Sequence, residues 1–93
     1  MDEQVFDWDE DNIEKLARRH RVAPSEAEAV MLDPNQVAGF AYPGEDEDRE
    51  AIIGMTAAGR LLVVVFTWRG ERCRVLSARN ATRWEARRYR RRR

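Results

Sequence analysis

The stretch whose reading decides the fold is Gly59–Arg79, GRLLVVVFTWRGERCRVLSAR. Its first part, Arg60–Arg69, is continuous in apolar and β-branched side chains. A strand with no polar alternation must be covered on both faces, so it is expected at the centre of a sheet. Gly70-Glu71 turns the chain, and Arg72–Ala78 forms the last strand, the hairpin partner of the one before. Upstream, Ala58-Gly59 is a turn and Ala51–Met55 a strand. Pro43–Asp48, PGEDED, is a turn with an acidic loop, and Val37–Ala41 a short strand.

Helices flank this run of strands. Thr82 and Glu85 stand in the T-x-x-E spacing of a capping box and open a helix that carries Trp84, Arg87, Arg88 and Tyr89 before fraying into Arg90–Arg93. At the other end Val5, Phe6 and Trp8 make a short strand. Asp9 is placed to cap a helix over Glu10–His20, with Glu10 and Asp11 in its first turn and Arg18, Arg19 and His20 in its last, where each sign suits the helix dipole. Ile13, Leu16, Ala17 and His20 give that helix its apolar stripe. Pro24 starts a second helix, striped by Ala27, Val30 and Met31, and Asp33-Pro34 ends it. The expected architecture is α+β: a small, mainly antiparallel sheet with two N-terminal helices and a C-terminal helix. One domain takes in residues 1–93, with a basic tail at 90–93.

The formal net charge is zero, yet residues 1–50 hold 15 acidic and 5 basic side chains while residues 51–93 hold 2 acidic and 12 basic. The split points to a polyanion-binding or acidic-partner-binding surface on the second half, or to pairing of one half with the other. Sixteen of the 17 basic residues are arginine, whose planar fork suits phosphate and whose face stacks on bases. Cys73 is the single cysteine, so no internal disulfide forms, and no ligand set with metal spacing is present; no cofactor is expected. No secretory leader or membrane span is visible, and a cytoplasmic location is expected.

The candidate functional residues follow from chemistry and position. On the last strand, strict alternation puts Cys73, Val75, Ser77 and Arg79 on one face and Arg72, Arg74, Leu76 and Ala78 on the other. Arg79, at the strand's end on a covered face, needs an anion: a phosphate or one of the many N-terminal acids. His20, the only histidine, is by spacing a core-edge residue or a helix C-terminal cation; in a functional reading it is a general acid or base. Trp68-Arg69, beside the hairpin turn, is the best candidate for an exposed aromatic able to stack a base. The terminal RYRRRR reads as an interaction tail. No Gly-rich phosphate loop or nucleophile elbow occurs.

Four stretches together, Phe6–Val22 (FDWDEDNIEKLARRHRV), Ser25–Pro34 (SEAEAVMLDP), Gly59–Arg79 and Asn80–Tyr89 (NATRWEARRY), resemble the BrnT family, whose members have a RelE-like fold. Two positions depart from it: Arg21 stands where a glycine is usual after the Arg/Lys-His pair, so a different loop is expected there, and Ala23-Pro24 replaces a common aromatic. The resemblance implies a metal-independent ribonuclease toxin of a type II toxin–antitoxin pair that blocks translation as part of a stress response. It also implies neutralisation by a cognate antitoxin, BrnA-like or another DNA-binding protein, through which alone the complex reaches operator DNA. In that frame the catalytic candidates are Arg79 first, then His20, Arg69 and Tyr89. The RNA-binding candidates are Arg19, Trp68, Arg74, Arg83, Arg87 and Arg88. The other readings are a non-catalytic module binding nucleic acid or antitoxin, and a small scaffold whose basic half meets an acidic protein.

Overall fold

The structure, a computed structural model, describes residues 5–39, 42–43 and 48–91. In chain order they form β1 (Val5–Phe6), α1 (Glu10–His20), α2 (Pro24–Met31), β2 (Val37–Ala38), β3 (Tyr42–Pro43), β4 (Asp48–Met55), β5 (Leu61–Arg69), β6 (Arg72–Asn80) and α3 (Arg83–Arg90). The sheet order is β1-β6-β5-β4-β2, with β3 also on β4. Every pair is antiparallel except β1 with β6. The apolar strand β5 is central, as its composition requires, and β4 begins earlier than expected, at Asp48. Most of the expected acidic loop, residues 44–47, and the last two tail arginines lie outside the described residues.

The α+β expectation holds, with the helices divided between the two faces. Leu16 of α1 and Ala27 and Val30 of α2 pack on Ile52, Leu62, Val64, Phe66, Cys73, Val75 and Ala78. On the opposite face Tyr89 of α3 packs on Ala51, Ile53 and Val63. The α2–β4 contact is close enough to demand glycine: a Cβ on Gly54 would lie 2.9 Å from Val30 Cγ1 and 3.0 Å from the Val30 carbonyl oxygen. Asp33 ties the two layers together. Its Oδ2 accepts from the Met55 backbone N–H (2.9 Å) and from the Tyr89 hydroxyl (2.7 Å).

The strand register corrects the expected faces of β6. Val65 pairs with Ser77 and the next residue, Phe66, pairs with Val75, so Leu76 is an extra residue in a β-bulge. One extra residue inverts the alternation beyond it. Cys73, Val75 and Ala78 therefore share the α1/α2 face, while Arg72, Arg74, Ser77 and Arg79 share the α3 face. The bulge also corrects α1. The buried Asn12 side chain donates to the Val75 carbonyl beside the bulge, and this polar residue takes the inward position with Leu16. Ile13 is left 36% exposed, and Ala17 is exposed as well.

The helix ends are set by local chemistry. Asp9 Oδ1 accepts from Asn12 N–H at 2.8 Å, and Thr82 and Glu85 exchange the two bonds of a capping box. The turn after α1 is the left-handed one that glycine favours, although Arg21 occupies it. Arg21 has φ 55° and ψ 42°, its N–H bonds to Ala17 O, and Val22 N–H bonds to Leu16 O. That conformation costs a non-glycine residue about 1–2 kcal/mol. The Arg60 guanidinium offsets the cost: Nη1 donates to Arg21 O (2.8 Å), Nη2 to His20 O (3.1 Å), and the same group pairs with Glu26 (3.1 Å) and Asn80 (3.0 Å). The opposite charges of the two chain halves thus meet in part within one molecule, at Arg60–Glu26 and at Arg74–Asp9.

Candidate functional site

With the bulge in place, four arginines from the β5–β6 hairpin lie on the α3 face of the sheet: Arg69, the Arg72 opposite it, Arg74 and Arg79. They fall into two groups. Arg79 pairs with Val63, six residues before Arg69, so the two ends are about 20 Å apart at ~3.3 Å per residue. One phosphate cannot reach both. At the hairpin end Arg74 is matched by acids of the segment before α1, Asp9 at 2.7 Å and Asp7 at 3.7 Å. The hydrogen bond from Arg74, helped by the Asn12 N–H, holds the Asp9 carboxyl below its usual range. Trp68 is 46% exposed, as expected, with its ring edge-on to Phe66 at 6.0 Å. It pairs with Cys73 and so stands on the α1/α2 face, across the sheet from its neighbour Arg69.

The other end holds the more organised chemistry. Arg79 meets Glu85 of α3 in a two-pronged ion pair, Nη1 to Oε1 at 2.7 Å and Nη2 to Oε2 at 2.9 Å. The partner expected among the N-terminal acids is instead the capping-box glutamate. The Arg79 fork, followed by the Thr82 backbone and hydroxyl, holds the Glu85 carboxyl down at about 2 from an ordinary 4.5. Such a carboxylate fixes the guanidinium's orientation, which a phosphate contact needs. It also makes stability pH-dependent. Because the folded carboxyl titrates below its unfolded value, its contribution is complete above about pH 4.5 and is lost as the pH falls towards 2. We expect Glu85→Gln to destabilise the protein at pH 6 by about 1–2 kcal/mol, allowing for solvent around the guanidinium. In urea unfolding the gap from wild type should close near pH 2.5; a gap independent of pH would contradict the role of the ion pair.

At the open edge of β6, Leu76 and Ser77 line a cleft of about 180 Å³ with Lys15, Leu16, Arg19 and His20 of α1, which covers the face opposite the one that carries Arg79. Here α1 lies beside β6 where no strand covers it, since β1 pairs only with Arg72 and Cys73. His20 is half-buried at the end of α1, and Arg60 fixes that end through the His20 carbonyl. The fold thus brings His20 and Arg19 to the edge of β6 at Leu76 and Ser77, while Arg79, two residues along the strand, lies on the α3 face. Arg69 is not part of this grouping. Tyr89 is 4% exposed, with its hydroxyl bound to Asp33.

A third feature lies along α3. Arg87, Arg88, Arg91, Trp84 and Val37 line a groove of about 410 Å³, and Arg88 Nε donates to the Ala38 carbonyl at 2.8 Å. Arg83 is exposed on the first turn of α3, outside that lining. Sequence reasoning missed Lys15, Ser77, Glu85 and Arg60. Lys15 and Arg19 sit four apart on one helix face, a signal available in advance. The place of Ser77 beside α1, on a stretch of β6 edge that β1 does not cover, had none.

The cleft sets an imidazole among the cationic side chains of Lys15 and Arg19, groups of the kind that act on or bind phosphodiesters. Thiol chemistry is absent from it: Cys73 is buried, and burial pushes its thiol up to about 11. Among the described residues no three His, Cys, Asp or Glu side chains converge to hold a metal ion, and no helix is long and apolar enough to cross a membrane. No curated protein matches the chain. The family model described as "Ribonuclease toxin, BrnT, of type II toxin-antitoxin system" matches residues 8–85, a span holding the α1–β6 cleft and the Arg79–Glu85 pair. With that match over most of its length, the chain belongs to the BrnT family of ribonuclease toxins of type II toxin–antitoxin systems.

Proposed function

We propose that this toxin is a cytoplasmic endoribonuclease that cleaves RNA without a metal ion, at the cleft between α1 and β6, and so blocks translation. The observation that carries the reading is the cleft in which His20 and Arg19 of α1 meet Leu76 and Ser77 at the open edge of β6, with Arg79 two residues along the strand on the α3 face. In the proposed reaction the ribose 2′-oxygen attacks the adjacent phosphorus and its proton passes to the His20 imidazole. The bond from phosphorus to the 5′-oxygen breaks, and that oxygen takes a proton from solvent. Arg19 within the cleft, and Arg79 from across the edge of β6, hold the charge that builds on the phosphate oxygens. The products are a 2′,3′-cyclic phosphate and a 5′-hydroxyl. Arg69, Trp68, Arg74, Arg83, Arg87 and Arg88 serve as RNA contacts away from the reacting atoms, and Tyr89 supports the site through the packing of α3. The cognate antitoxin covers the basic face and supplies the DNA-binding part of a complex that represses its own operon.

The Arg79–Glu85 pair favours a second reading. A guanidinium already matched by a carboxylate also suits a module that binds RNA or antitoxin without catalysis. Incubating the purified chain with single-stranded RNA in EDTA, alone and with ribosomes, decides between them. Cleavage that leaves cyclic-phosphate and 5′-hydroxyl ends is expected. Dependence on an added divalent ion would overturn the mechanism, and a folded chain that binds RNA without cleaving it would establish the second reading.

A further inference from the structure

The groove along α3 has a composition that neither the ion pair nor the α1–β6 cleft uses. Trp84 is 50% exposed on an eight-residue helix whose neighbouring side chains are charged. The fold keeps this large ring at the surface in a groove whose other polar lining is three guanidiniums, from Arg87, Arg88 and Arg91. No carboxylate lines the groove among the described residues. Glu85 lines the smaller hollow beside it, of about 50 Å³, and its charge is matched by Arg79. Arg88 is anchored by the Ala38 carbonyl, which holds one cation a helical turn along from the ring on the same face of α3. An aromatic face beside fixed cations binds what is flat and anionic in alternation, which is single-stranded nucleic acid.

We propose that the groove between α3 and β2 is a base-stacking subsite for single-stranded RNA, in which Trp84 stacks one base and Arg87, Arg88 and Arg91 hold the flanking phosphates. The inference rests on RNA being the substrate and deepens that reading. Trp84 adjoins Glu85, so a strand passing Arg79 reaches the groove without leaving the α3 face. The subsite therefore reads a base outside the scissile step, and stacking makes it tolerant of base identity. A duplex, with its bases already stacked, is excluded.

The test is equilibrium binding of 2′-O-methyl RNA, which lacks the attacking hydroxyl and stays intact whether or not the chain is a nuclease. Wild type is expected to prefer single strands to duplex and to prefer the intact strand to one with abasic sugars. Trp84→Ala should bind the single strand about 5- to 100-fold more weakly and lose the preference over abasic RNA, while Trp84→Phe retains most of both. Arg87→Ala and Arg91→Ala should each lower the log–log salt slope by about 0.7. Unchanged affinity of a folded Trp84→Ala variant overturns the subsite and leaves the nuclease reading standing. Loss of antitoxin binding with RNA affinity intact overturns it in favour of a protein-docking groove. Absence of RNA binding by wild type overturns both readings.

Discussion

Replacing Arg79 by alanine is expected to lower RNA cleavage at saturating substrate by roughly 100-fold or more, the scale seen when one donor to developing charge is removed. The substitution also strands Glu85, whose carboxylate is largely buried, so lost stability could be taken for lost chemistry. The double variant Arg79→Ala with Glu85→Gln separates the two, because it removes the unpaired charge and should recover most of the stability while staying inactive. Arg79→Lys keeps a charge without the fork and should recover only a small part of the rate. His20→Ala should fall as far as Arg79→Ala. Full turnover by the folded double variant would remove Arg79 from the mechanism and return attention to the Arg69 end of the hairpin.

Deleting Leu76 is expected to leave the sheet intact and to abolish cleavage. Leu76 is the extra residue of the bulge, so without it Val75 and Ser77 become neighbours opposite Phe66 and Val65, strict alternation is restored, and every other residue of β6 keeps its partner and its face. The packing of Cys73, Val75 and Ala78 and the Arg79–Glu85 pair should survive, at a cost of about 1 kcal/mol for the half-buried side chain that is lost. The proposed cleft against α1, by contrast, loses part of its lining. Circular dichroism and urea midpoints report the fold, and RNA cleavage reports the cleft. A deletion variant that unfolds would mean that the bulge itself, rather than the register on either side of it, holds β6 in place.

What the sequence made legible was local. The apolar run Leu61–Phe66, the turn at Gly70, the caps at Asp9 and Thr82 and proline at the start of α2 are each decided by a few neighbouring residues, and each stands where expected. What it hid was non-local. A bulge of one residue leaves no mark in RCRVLSARN, because that string alternates acceptably in either register. The inward turn of Asn12 depends on a carbonyl 63 residues away, so the apolar pattern favoured Ile13 instead. Arg79 was recognised as a cation in need of an anion, but Glu85 was already assigned to the helix cap. One carboxylate performing both tasks is visible only once α3 is laid across the strand. The left-handed Arg21 is similar: its stabilising partner, Arg60, is 39 residues on.

The parallel pairing of β1 with β6 also sets a schedule. The strand pairing of Val5 waits until Arg72 has been made, and the cleft on α1 has no floor until Leu76 and Ser77 follow. At about 5–20 residues per second, roughly 3–13 s separate the two ends of that contact during synthesis. Throughout that interval α1 and α2 precede the sheet that they cover. The cleft between α1 and β6 is therefore among the last features of the fold to form, after nearly the whole chain has been made.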